Sequence, residues 1–122
     1  MKLFVAMGSL LGLLGVAAGA FGAHALEARL DADMLAVWET AAKYQMYHAL
    51  ALFGAAWLVG QTQTTWATVA GWAFLGGVVV FSGTLYVLAL SGIKWLGAIT
   101  PIGGTAMIVG WFCCFMAALK LN

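Results

Sequence analysis

Residues 3–23 carry no charged side chain, and this run constrains the fold more than any other feature. About 20 apolar residues in helical form cross the hydrocarbon core of a bilayer. Three further apolar runs follow, over residues 44–59, 66–90 and 101–121. The breaks are short: a polar, uncharged turn over residues 60–65, then Ser91-Gly92 and a connection over 93–99 that bears Lys94. Gly92 suits a left-handed helix cap. Only 7% of the chain is charged, against about 25% in a soluble domain. A formal net charge of +1 offers no electrostatic footprint for nucleic acid. The expectation is an all-α, integral membrane four-helix transmembrane bundle. It forms one domain over residues 1–122, with spans near 3–23, 40–60, 66–90 and 101–121, and no room for a separate catalytic domain.

Six charged residues gather ahead of the second run: Glu27, Arg29, Asp31, Asp33, Glu39 and Lys43. Asp31 or Asp33 can cap a helix there, and Glu39 and Lys43 stand at the favourable i,i+4 spacing. No Pro or Gly interrupts residues 33–52. One helix over 33–59 is expected, with residues 31–43 helical and partly exposed. Thr100 is a candidate N-cap for the last helix, with Pro101 in its first position. Residues 1–25 also have the outline of a secretory signal peptide, with Lys2 ahead of an apolar run and Ala23-His24-Ala25 as a small-x-small site. An apolar run of about 20 residues is long for a signal core and right for a span. An uncleaved first helix is the expectation.

Gly8, Gly12, Gly15, Gly19 and Gly22 are spaced by four, three, four and three residues, a seven-residue repeat that lines one stripe of the first helix. Lipid tails are as apolar as leucine, so helices in a bilayer associate through close packing, which small residues permit. The stripe predicts a seam with a left-handed crossing; a glycine-lined groove for lipid or another chain is the alternative. Gly76 and Gly83 repeat the spacing beside Gly77, and Gly103, Gly104, Ala106 and Gly110 enrich the last helix. Cys113 and Cys114 point about 100° apart on a helix and have no ligand set around them, so they read as small apolar residues. Trp57 and Trp66 on one side, and Trp38 and Trp95 on the other, suit interfacial belts. Trp72 and Trp111 fall inside their spans, where they pack or face lipid.

Four spans bring the charged segment and Lys94 to one side. Reading inward from that side gives His24, then Tyr44, Gln45 and His48, then Ser82, Thr84 and Tyr86, then Thr100, Pro101, Gly103 and Gly104. Polar groups in a membrane are costly unless paired, and they turn to the bundle interior. Two readings are open. In the first, the histidines bond to carbonyls or hydroxyls and tie helix ends together. In the second, His24, Tyr44, Gln45, His48, Ser82, Tyr86, Thr100 and Gly104 bind a lipid headgroup, quinone or other small molecule. His48, one turn inward from Tyr44, is expected to meet Tyr86, Thr100 or His24. Haem would need a cavity between glycine-packed helices, and zinc would need more ligands than two histidines. No carboxylate is placed to orient a base for nucleophilic catalysis. No cofactor, metal or catalytic set is expected.

The stretches Ala18-Gly-Ala-Phe-Gly-Ala-His-Ala-Leu26, Trp38-Glu-Thr-Ala-Ala-Lys-Tyr-Gln-Met-Tyr-His-Ala-Leu50, Phe81-Ser-Gly-Thr-Leu-Tyr86 and Ile99-Thr-Pro-Ile-Gly-Gly104 resemble a family of small bacterial inner-membrane proteins of unknown function that includes YgdD. The resemblance runs over nearly the whole chain and implies four spans with no assigned reaction. It also implies cytoplasmic termini, where Lys2 and Lys120 lie, whereas Arg29, Lys43 and Lys94 lie opposite. The expected function is non-enzymatic: helix packing with itself, with membrane lipid or with a membrane-protein partner.

Overall fold

Asp31 starts the longest element of the chain. Its side-chain oxygen accepts the Met34 N–H at 2.8 Å, which satisfies one of the unpaired donors at a helix start. The second helix then runs unbroken over Ala32–Gln61. The computed structural model describes residues 1–122, and every regular element in it is helical. The first helix spans Lys2–Leu26, its turns widened to π geometry over Ala17–Gly22. The third spans Thr65–Ser91 and ends on Gly92 at φ +72°, the one left-handed residue of the chain. A tight 3-10 turn over Lys94–Ala98 leads into the fourth helix, Thr100–Ala118.

Three stretches are long and apolar enough to cross a membrane: Lys2–Leu26, Thr65–Ser91 and Lys94–Ala118. The second helix is the longest of all at 30 residues. It falls outside that group because Tyr44, Gln45, Tyr47 and His48 stand in its middle and Asp33, Glu39 and Lys43 before them. At 1.5 Å per residue it measures about 45 Å, well beyond a hydrocarbon core of about 30 Å.

One local expectation changes, and another is narrowed. Thr100 does not cap the fourth helix, because Ile99 before it is already helical (φ −84°, ψ −32°) and continues the Lys94–Ala98 turn. Its hydroxyl lies instead 3.2 Å from the Leu96 carbonyl and 2.7 Å from the Thr84 hydroxyl. Of the two candidate aspartates, Asp31 is the cap and Asp33 sits in the first turn.

The main packing pairs are first with second, second with third, and third with fourth, while the second touches the fourth lightly. Only 29 of 122 residues are buried, so most apolar side chains, among them Leu13, Phe21, Leu50, Ile108 and Phe115, face outward. The interior is built from small residues. Ala41, Ala49, Ala55, Ala67, Ala70 and Ala117 are buried around the larger Phe74 and Leu52, with Phe4 closing one end.

All five glycines of the first stripe face the second helix. A Cβ added at Gly8 would lie 2.9 Å from the Ala49 carbonyl oxygen, at Gly15 2.6 Å from the Met46 sulfur, and at Gly22 3.0 Å from the Trp38 ring. Gly12 and Gly19 oppose the methyl groups of Ala49 and Ala42. In the third helix the spacing misleads: Gly76 and Gly83 face open space, while the neighbouring Gly77 meets Met107 and Gly103. Gly103 lies against the backbone of Phe81 and Gly77, and Gly110 against the Phe74 ring. Rigid backbone cannot yield as a side chain can, so Gly103→Ala should destabilise the bundle by about 1–3 kcal/mol. Gly83→Ala should be near neutral. Thermal unfolding in detergent checks the contrast; equal melting temperatures for the two variants would contradict it.

Candidate functional site

The second helix presents Tyr44 and Gln45 side by side and His48 one turn on from Tyr44, and each is used differently. His48 is buried, with its Nδ1 2.7 Å from the Tyr44 carbonyl and its Nε2 3.1 Å from the Trp111 indole nitrogen. An indole N–H only donates. Nε2 is therefore the acceptor, and Nδ1 holds the hydrogen and donates it to the Tyr44 carbonyl. Both nitrogens of a neutral imidazole are thereby engaged.

Gln45 sits at the centre of a relay through three helices. Tyr86 Oη–H donates to Gln45 Oε1 at 2.6 Å, and Gln45 Nε2 donates to the Leu11 carbonyl at 2.8 Å. Two more bonds join neighbouring helices through main-chain acceptors. Ser82 Oγ donates to the Ala41 carbonyl at 2.7 Å, and Trp38 Nε1 donates to the Ala18 carbonyl at 2.9 Å, within the widened π turns. The Thr84 and Thr100 hydroxyls join the third and fourth helices. No buried side-chain nitrogen or oxygen lacks a partner.

Aromatic rings surround this network. Trp38 packs on Tyr86 with centroids 4.6 Å apart, and Tyr44 on Phe81 at 4.9 Å. His48 lies among Tyr44, Phe74 and Trp111. Beside Tyr44 and His48 a groove of about 500 Å³ opens, lined also by Phe81, Pro101, Gly104, Thr105 and Trp111. The Tyr44 hydroxyl makes no hydrogen bond within the chain and is part-exposed.

The structure divides the expected residues: Gln45, Ser82 and Tyr86 lie together beside Trp38; Tyr44, His48 and Gly104 line the groove on another side of the second helix; Thr100 pairs with Thr84; and His24 lies apart. The His24 side chain is exposed near the C-terminal end of the first helix, 3.9 Å from Glu27 on the next turn. Its distance from the cluster follows from the first helix continuing to Leu26, which carries the ring outward. Tyr86 and Thr100 find Gln45 and Thr84 instead of His48. Trp111 and Trp38 are members that sequence reasoning missed. A signal for Trp111 was present, because an indole N–H deep in a span needs an acceptor, and His48 offers one. The carbonyls of Leu11, Ala18 and Ala41 carried no signal, since every residue has one. Cys113 and Cys114 are free thiols, the first buried and the second half-buried.

Residues 18–104, the span of chain that contains most of this network, match the family described as "Protein of unknown function (DUF423)". The chain belongs to this family. It is 46% identical over 121 residues to UPF0382 membrane protein YwdK of Bacillus subtilis (strain 168), covering 98% of each chain. It is 47% identical over 121 residues to UPF0382 membrane protein SSP2132 of Staphylococcus saprophyticus, covering 99% of this chain and 100% of that one. With UPF0382 membrane protein SH2409 of Staphylococcus haemolyticus the identity is 48% over 120 residues, 98% of each chain. No solved structure matches it. The relatives are named as membrane proteins, which agrees with the apolar helices of this chain.

The His48–Trp111 bond makes a quantitative prediction. Trp111→Phe should leave Nε2 unpaired and cost about 1–3 kcal/mol. The double variant with His48→Phe should cost less than the sum of the single changes, by about 1 kcal/mol or more. A double-mutant cycle of detergent melts measures the coupling, and strict additivity would show the contact to be energetically idle.

Proposed function

We propose that this chain is a four-span protein of the bacterial inner membrane, of the family that includes YgdD, and that it acts without catalysis. Its role is packing with itself, with lipid or with another membrane protein. The observation that supports this reading is the complete internal pairing of its buried polar side chains. A catalytic centre keeps a nucleophile, acid or base free for substrate, whereas here Gln45, Ser82, Tyr86 and Thr100 are spent on neighbouring helices and His48 on Trp111 and its own helix. The polar face works as a lock between helices. The wide apolar exterior is the surface left for lipid and partners.

The second helix completes the four-span arrangement. It packs against both the first and third helices, each long and apolar enough to cross a membrane. Within its apolar run, Gln45 and His48 are buried and paired. Four spans put both termini on one side, here read as the cytoplasm. An alkaline phosphatase fused after Asn122 or at Gln63 should then be inactive, and one fused at Gly92 active. An inactive Gly92 fusion beside active fusions at Gln63 and Asn122 would invert the orientation. For the packing role, native mass spectrometry from mild detergent should find the full chain with bound lipid, a second copy or a membrane partner. A bare monomer with measurable turnover would replace this reading with an enzymatic one.

A second reading has its own support in the groove beside Tyr44, where one hydroxyl remains unpartnered. There the chain binds a small molecule at the polar face.

A further inference from the structure

Glu39 and Lys43 stand one turn apart on the outward face of the second helix, and both are exposed. Their i,i+4 spacing favours a pair, yet the one ion pair of the chain is His24 with Glu27. Both instead line a groove of about 380 Å³ at the seam with the first helix, beside Gly15, Gly19, Ala42 and Met46. The glycines only make room there. The chemistry of the groove comes from the two unpaired charges.

The depth of these charges sets them apart from an ordinary solvated face. Gly19 opposes Ala42 and Gly15 opposes Met46, which puts Lys43 level with Ala18 of the first helix. That level lies about 12 Å of helix rise inside the end of the first helix at Leu26. The first helix, at 25 residues, overhangs a hydrocarbon core of about 30 Å by only a few ångströms at each end. The Lys43 backbone is therefore about 8 Å inside the hydrocarbon, and Glu39 about 6 Å nearer the surface. Charged residues in a span turn to the bundle interior or pair with one another. These two do neither.

Helical side chains lean toward the helix N-terminus, which for the second helix is the near surface, and lysine snorkels the same way. The Lys43 ammonium thus rises toward the level of lipid phosphates, with the Glu39 carboxylate outside it. A cation within and an anion without complement a phosphoethanolamine headgroup, whose phosphate joins the glycerol and whose ammonium is at the free end. A purely anionic headgroup would satisfy Lys43 and be repelled by Glu39. A second copy is a poorer match. A two-fold axis along the membrane normal sets equal residues at equal depth, so Glu39 would face Glu39 and Lys43 would face Lys43.

We infer that the groove between the first and second helices holds one zwitterionic phospholipid, a phosphatidylethanolamine in chemical class, with its phosphate on Lys43 and its ammonium on Glu39. The acyl chains run inward along Met46 and the exposed Leu50. This inference deepens the proposed packing with lipid and rests on it.

The test is native mass spectrometry of the full chain, stripped of lipid in mild detergent and titrated with single phospholipids of matched acyl chains. Phosphatidylethanolamine should bind at one per chain. It should bind at least tenfold more tightly than phosphatidylglycerol, which has no ammonium, or phosphatidylcholine, whose ammonium has no N–H to donate. Lys43→Gln should weaken it about tenfold through loss of a charge-assisted contact. Glu39→Gln should instead erase the preference over phosphatidylglycerol. The exchanged pair, Glu39→Lys with Lys43→Glu, keeps the charges and reverses their order, and should bind no better than either single variant. Both positions are exposed, and melting curves on the same samples separate lost binding from unfolding. Equal binding of the three lipids by the wild type, or an unchanged profile in every variant, overturns the inference and leaves packing with lipid in general standing. Displacement by glycerophosphoethanolamine at equal concentration assigns the groove to a soluble phosphodiester and overturns it too. A lipid-free dimer that Lys43→Gln dissociates assigns the groove to a second copy, and then the inference falls while packing with itself stands.

Discussion

A helix that carries a glutamine and a histidine in its middle can lie in hydrocarbon only when both side chains are paired, because an unpaired polar group there costs several kcal/mol. The second helix carries both residues, and the arrangement of its neighbours pairs them. Gln45 draws its donor and acceptor partners from opposite sides, the Leu11 carbonyl of the first helix and the Tyr86 hydroxyl of the third. His48 takes its acceptor role from Trp111 of the fourth. The least apolar helix therefore occupies the position with the most helical neighbours. Its polarity is the reason for that position.

Hydrogen bonds of 2.6–3.1 Å between helices require the backbones to come close, and glycine supplies the approach. Gly15 lies against Met46 and within reach of the Gln45 amide that bonds the Leu11 carbonyl. Gly103 and Gly77 touch through their backbones near the level where Thr84 meets Thr100. Small residues and polar residues are thus parts of one device. The first shortens the gap that the second must bridge, and in a bilayer neither has a hydrophobic driving force to fall back on. Where this device is weak, between the second and fourth helices, Trp111 reaches across to His48 and grooves open on either side of its ring.

Identity of 46–48% with relatives named as membrane proteins, over almost the full length of each, sets this architecture within one family. The chemistry of the polar face bears on what such a family does. Engaged side chains hold helices and leave the aromatic wall and the Tyr44 hydroxyl as the accessible chemistry.

The sequence by itself determined the helical class and the places where helices break, because charge-free runs and Gly92 act locally. It also marked the glycine stripe of the first helix, since a seven-residue repeat fixes a face whatever that face meets. The partner of the stripe was not legible, nor was the choice of Gly77 over Gly76 and Gly83 in the third helix, because a spacing names a stripe without saying which stripe turns inward. At the polar face the residue types could be read, but His24 shares its residue type with His48 and ends in the open, in the last turn of the first helix. Pairing was decided by tertiary structure alone. Gln45 meets Leu11, Ser82 meets Ala41 and His48 meets Trp111 through rotations and offsets of whole helices. Two of those three acceptors are main-chain carbonyls, a group every residue carries and no sequence pattern singles out.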